Sequence, residues 1–266
     1  MRVRRLLWLV LVLALVAAAC GDDDGSGLTQ KSGVLTVGSD IPFPPFEDFE
    51  GENVVGFDAD LINEIASRLD LTVEWVDTDF DTIFTQLATG TFDVVASATT
   101  ITEARSQQVD FTMPYFNSNQ ALVINTADNP DVQSVDDLGE GHTIAVQTGT
   151  TGAKWAAEHL APLGVAVREF PQAGDTYTAA EGDPDVDGVV FDIDNALEEA
   201  DAREGLEVVQ EIITGEGYGF GVDPARTELL SEMNRVFQEM LDDGTYQTIY
   251  DKWFDRPEGS VLYEQM

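Results

Sequence analysis

Apolar residues recur along this chain in two rhythms, one of short β-rich runs and one of helical spacing. Over residues 57–69 (FDADLINEIASRL) Phe57, Leu61, Ile65 and Leu69 stand four apart, which predicts a helix with one apolar face. Around it, Leu35 to Val37 and Val73 to Val76 read as strands, Thr82 to Ala88 as a helix, and Phe92 to Ala96 as a strand. The order β-α-β-α-β is that of an open α/β sheet. After the turn signal Asn129-Pro130-Asp131 a second unit begins, with strands at Thr143 to Val146, Val165 to Phe170 and Asp187 to Phe191. A helix from Gly152 to Leu160 falls between the first two, and another starts near Asn195. Glu228 to Leu241 reads as a helix stopped by Asp243-Gly244, followed by a last helix ending near Phe254. Nothing repeats at a fixed short period, which excludes a solenoid.

The N-terminus departs from this pattern. Arg2, Arg4 and Arg5 precede an unbroken apolar run of 14 residues, Leu6 to Ala19, then Cys20. A membrane-spanning helix needs about 20 apolar residues, so residues 1–19 are expected to be a cleaved secretory signal peptide. Three alanines before the sole cysteine and Gly21 after it resemble the lipobox of bacterial lipoproteins, although alanine stands where leucine is usual. Cys20 is therefore the expected lipidation site, and no disulfide is available to the fold. Residues 20–32 are polar and glycine-bearing, as expected of a flexible linker, with folded material beginning near Gly33.

Charge narrows the functional classes. The chain carries 50 acidic and 13 basic residues; without residues 1–19, which hold three of the basic ones, the formal charge is −40. Such a chain repels nucleic acid. It also repels itself unless counter-ions screen it, which fits either a salt-rich habitat or simply a very soluble surface. With His142 and His159 the only histidines and one cysteine, there is no His/Cys metal cluster, no EF-hand spacing and no P-loop, so no metal or cofactor is expected. Gly215 to Gly221 lacks the context of a dinucleotide loop and reads as a connector into a strand.

Three positions could carry chemistry. Gly149-Thr150-Thr151 follows a predicted strand and opens a predicted helix, so its backbone N–H groups could receive a carboxylate, or form an ordinary turn. Arg105 sits just past the strand FDVVASA, on a short helix that Thr102 can cap. That position could clamp a carboxylate bidentately or be a surface arginine. Asp192 ends the strand VDGVVFD and could hold an ammonium or cap the following helix.

Six stretches, in order and at matching spacing, resemble the polar amino-acid solute-binding proteins of bacterial family 3: GVLTVGSDIPFPPFE, VGFDADLINEIASRL, FDTIFTQLATGTFDVVASATTITEARSQQVDFTMPYF, IAVQTGTT, DGVVFD and DDGTYQTIYDKWF. The resemblance runs from about Gly33 to Phe254. It implies a two-lobe, type II periplasmic-binding-protein-like α/β fold with two hinge crossings, near Ala121 to Asn125 and Ile212 to Gly217. Residues 33–122 plus 214–258 would form lobe 1 and residues 123–213 lobe 2.

The same resemblance implies site roles. Arg105 would take an α-carboxylate with N–H groups of Thr100 and of the Thr150-Thr151 turn, and Asp192 an α-ammonium with the Ala98 carbonyl and Thr100 hydroxyl. Phe43 and Phe80 would flank the ligand's side chain, while Asp40, Ser97 and Gln147 would read its polar end. Gln147 stands where glutamine-specific members tend to have lysine, and Asp40 would equally suit a basic ligand. The implied function is capture of a free polar or basic amino acid by a monomer that delivers it to an ABC permease. The alternatives are a cyclohexadienyl dehydratase-like enzyme, for which no second His, Lys or Glu stands on a site position, and a ligand sensor acting in trans.

Overall fold

The fold is that of a computed structural model that describes residues 27–254. The expected signal peptide of residues 1–19, the expected lipidation site Cys20 and the start of the expected linker lie outside the described residues.

In chain order the strands are β1 (Val34–Ser39), β2 (Asp48–Glu50), β3 (Asn53–Val55), β4 (Thr72–Asp77), β5 (Val94–Val95), β6 (Asp110–Phe111) and β7 (Phe116–Asn125). There follow β8 (Thr143–Gln147), β9 (Ala166–Phe170), β10 (Gly188–Asp192), β11 (Leu206–Tyr218) and β12 (Gly221–Val222). The helices are α1 (Phe57–Arg68), α2 (Ile83–Ala88), α3 (Glu103–Ser106), α4 (Thr151–His159), α5 (Ala173–Gly182), α6 (Ile193–Ala202), α7 (Thr227–Asp242) and α8 (Thr245–Trp253).

They form two five-stranded sheets, ordered β4-β1-β5-β12-β6 and β11-β7-β10-β8-β9, each the centre of one lobe. β1 lies parallel to β4 and β5, and β8 lies parallel to β9 and β10. Parallel strands end on a common edge, so both sheets present the C-terminal ends of their parallel strands, where ligands gather in open α/β folds. β7 and β11 pair antiparallel along most of their length and carry the chain between the lobes.

The apolar rhythm of residues 57–69 becomes α1, with Phe57, Leu61 and Ile65 fully buried. The C-terminal helices return to the first lobe: Met233, Val236 and Phe237 of α7 and Tyr250 of α8 share its core with α1. The second lobe packs Leu122, Ile144, Val146, Ala156 and Val190 between β7, β8, α4 and β10.

The linker differs from expectation. Leu28 is buried, its carbonyl accepts from Arg226, and the Gln30 side chain donates to the Phe92 carbonyl at 3.0 Å. Ordered packing thus begins at Leu28 and not at Gly33, because one apolar residue in the polar stretch finds the first lobe's core. Gly215 to Tyr218 also belong to β11 itself, not to a connector before a strand.

Candidate functional site

The parallel strands other than β9 contribute to one cavity, at their C-terminal ends or in the loops beyond. Asp40 follows β1, Ser97 and Ala98 follow β5, Gln147 ends β8, and Asp192 ends β10. With Phe43, Phe80, Thr100, Arg105, Thr150, Thr151 and Phe191 they line a cavity between the lobes. All eleven binding residues named from the sequence are among these walls; Phe191 is the addition.

Arg105 is positioned by its own short helix. The Thr102 hydroxyl accepts from the Arg105 backbone N–H at 3.2 Å, the cap expected of it. The buried guanidinium lies 5.1 Å from the Phe80 ring centroid and 5.4 Å from that of Phe84. It donates to the carbonyls of Thr100 at 2.8 Å and of Gly149, on the opposite lobe, at 3.2 Å. Burial lowers its proton affinity from the usual arginine value. Every other described Lys or Arg is ion-paired: Lys31, Arg68, Lys154, Arg168, Arg203, Arg226, Arg235 and Lys252. Arg105 alone among them has no carboxylate within 4 Å, in a chain with 50 acidic residues.

Asp192 occupies the N-cap position of α6 but makes no cap bond with its side chain. Its oxygens accept instead from Gln120 and from the Tyr218 hydroxyl, one on each crossing strand. Burial, reinforced by the nearby Glu216 charge, raises its pKa to about 7.

Glu216 went unread in the sequence, where no second glutamate was expected at the site. Its carboxylate accepts from Thr100 at 2.6 Å, Thr151 at 2.7 Å, Gln120 at 2.8 Å and Thr214 at 2.9 Å, tying lobe 1, lobe 2 and both crossing strands together. No local pattern announces it: the crossing strands FNSNQALVIN and LEVVQEIITGEGY carry several other polar residues, and only the fold buries Gln120 and Glu216.

At the other end, Gln147 donates to Asp40 Oδ2 at 2.6 Å across the cleft, and Ser97 Oγ accepts from the Asp40 N–H at 3.0 Å. Burial outweighs the Gln147 bond and raises Asp40 to about 6. Phe43 meets Phe191 of the opposite lobe at 5.4 Å between centroids. Asn195 Nδ2 donates to the Pro44 carbonyl at 2.7 Å and Gln172 Nε2 to Asp79 at 2.7 Å, so the lobes stand closed on each other. The Thr150 hydroxyl accepts from the Ala153 N–H at 3.1 Å and caps α4, whose first N–H groups have no intrahelical partner.

The arrangement is thus a buried cation on one lobe and a carboxylate on the other, both facing one cavity with aromatic walls. Among the described residues no group of His, Cys, Asp and Glu is placed to hold a metal ion.

Comparison with known proteins follows the same lines. The family described as bacterial extracellular solute-binding proteins, family 3, matches residues 35–256. The histidine-binding periplasmic protein of Escherichia coli (strain K12) is 30% identical over 256 residues, covering 93% of this chain and 96% of that protein. An ancestral arginine-binding protein solved with arginine is 39% identical, with a TM-score of 0.78, covering 84% of this chain and 98% of that one. The ancestral amino acid-binding protein AncCDT-1, described as a precursor of cyclohexadienyl dehydratase, is 33% identical with a TM-score of 0.77, covering 84% and 96%.

Proposed function

The chain belongs to the bacterial extracellular solute-binding proteins of family 3, and on that premise we propose that it closes its two lobes around a free polar or basic L-amino acid and delivers it to an ABC permease. The observation that carries this reading is Arg105: a buried cation without a carboxylate partner, facing a cavity it shares with Asp192. A zwitterion supplies both missing charges at once. In this reading Arg105 clamps the α-carboxylate, helped by N–H groups of Thr100 and Thr151, while Asp192 takes the α-ammonium with the Ala98 carbonyl and Thr100 hydroxyl. Pairing both ends matters, since one buried ion left alone costs about 3–5 kcal/mol. Phe43, Phe80 and Phe191 pack the side chain. Asp40, Ser97 and Gln147 read its end, and the Asp40 carboxylate favours a cationic group, in line with the arginine and histidine named for relatives.

The lobe boundaries that the resemblance implies go with this function, with the start of lobe 1 moved to Leu28 and with β7 and β11 as the hinge. Hinge closure about a ligand is the motion of periplasmic binding proteins. The monomer would act outside the cytoplasmic membrane, held there by a lipid on Cys20.

A thermal-shift screen of the twenty amino acids tests the reading, because selective binding stabilises by RT ln(1 + [L]/Kd). A rise in Tm with one or a few polar or basic amino acids is expected; no rise with any of them rejects it. The likeness to a dehydratase precursor makes arogenate and prephenate worth including, and turnover of either would replace binding by catalysis as the function.

A further inference from the structure

Beneath the cavity floor lie two carboxyl groups that the binding reading leaves unused. Glu47 and Asp58 are both completely buried. Glu47 closes the turn that begins at Phe43, and Asp58 is the second residue of α1. Each uses a single oxygen. Glu47 Oε1 accepts from Ser97 Oγ at 2.9 Å, while Asp58 Oδ2 accepts from the Ala98 N–H at 3.0 Å and the Tyr115 hydroxyl at 2.6 Å. Among the described residues, Glu47 Oε2 and Asp58 Oδ1 have no hydrogen-bond partner.

No described Lys, Arg or His is ion-paired with either group. The titratable groups that face them are Asp40 beyond β1, Tyr115 ahead of β7 and, behind Tyr115, Tyr218 of β11, all acidic or neutral. Two ionised carboxylates cannot stand together in a dry interior without a counter-charge. Burial raises both, Asp58 to about 7, and the Asp58 charge pushes Glu47 up further.

The two groups hold consecutive residues of the cavity wall. Ala98 has φ of +40°, a left-handed conformation unfavourable for a non-glycine residue, and the bond from its N–H to Asp58 offsets that strain. Ser97 Oγ accepts from the Asp40 N–H and donates to Glu47 Oε1, so the hydrogen-bond chain Asp40, Ser97, Glu47 runs from the ligand's polar end into the core.

We propose that Glu47 and Asp58, brought together by the bond from the Asp58 N–H to the Phe46 carbonyl and by their partners Ser97 and Ala98, carry one proton between them, and that this singly protonated pair positions Ser97 and Ala98 for ligand binding. The positioning part rests on the amino-acid-binding function argued above. Loss of the proton places two negative charges under the floor and loosens it.

Infrared spectroscopy of the full chain near neutral pH reads the proton directly. In an Asp192→Asn background, which removes that group's own contribution, a protonated-carboxyl stretch is expected that vanishes when Asp58→Asn is added; its absence from the background variant, or its survival in the double variant, overturns the shared proton. Calorimetry with arginine reads the positioning. Asn keeps the acceptor for Ala98 and puts an N–H where the proton lay, so Asp58→Asn is expected within about threefold of the parent, whereas Asp58→Ala loses at least about tenfold. Equal affinity in Asp58→Ala, or a tenfold loss in Asp58→Asn, overturns it. Should the alanine variant fail to fold, Glu47→Gln serves in its place, expected within about threefold of the parent and overturning the proposal at a loss of about tenfold. A parent that binds none of the twenty amino acids rejects the functional reading instead, and the infrared band still decides the proton.

Discussion

The Arg105 guanidinium lies over Phe80 and Phe84 and spends only part of its donor set on the Thr100 and Gly149 carbonyls, which leaves N–H groups for a bidentate carboxylate. Its buried counterpart across the cavity is Asp192. Arg105→Ala and Asp192→Ala are each expected to lower amino-acid affinity at least about a hundredfold by calorimetry, since each strands one end of a buried zwitterion; a change below about tenfold rejects the assignment. Asp192 also sets a pH dependence. Its pKa of about 7 means that lowering pH through neutrality protonates the ammonium acceptor, so affinity is expected to fall on acidification. Stability should move the other way. The folded values of Asp40, Asp58 and Asp192 lie above the ordinary carboxylate range, so the folded chain binds more protons than the unfolded one between about pH 4 and 7. Their contribution is most favourable below pH 4 and is lost as pH rises through 6 to 7. Thermal melts of the protein alone that show Tm falling on acidification from pH 7 to 5 would contradict these raised values.

Among the elements, the turn from β8 into α4 is where closure is most exposed to change. Gly149 has φ of +81°, and a Cβ there would lie 3.3 Å from the Asp81 backbone of the facing lobe. Gly149→Ala combines a left-handed cost of about 1–2 kcal/mol with pressure against lobe 1, so affinity is expected to drop by about tenfold or more. Calorimetry paired with a thermal melt checks this: an affinity loss no greater than the stability loss implies would show that the turn does not govern closure. The elements that the sequence left unread share a cause. The hairpin of β2 and β3 is three residues a side, and α5 (AGDTYTAAEG) buries small residues and Tyr177 without an apolar stripe, so neither carries a period strong enough to see. The linker shortened for a related reason: Leu28 is a single apolar residue whose partner lies far along the chain.

For the whole molecule the dominant feature is charge. With every described Lys and Arg except Arg105 already paired, the remaining acidic surface can be neutralised only by ions from solution. Tm is therefore expected to rise between low and molar KCl, and a flat response would show that self-repulsion contributes nothing measurable. By itself the sequence determined the alternation of strands and helices, the acidic character and the residues at the strand ends, because periodicity and composition are local and survive without a fold. Strand ends converge in any open α/β sheet, so Arg105, Asp192 and the Thr150-Thr151 turn, read from the residues alone, fall on one cavity with the further positions that the resemblance implied. Only the tertiary structure decided that Arg105 is the described cation without a carboxylate, that the Asp192 side chain makes no cap bond although it stands at the N-cap of α6, that Glu216 joins both lobes, and that Glu47 and Asp58 lie buried behind Ser97 and Ala98. Each of those is a relation between groups far apart in the chain, and whether a charge is paired, shared or alone depends on its neighbours in space.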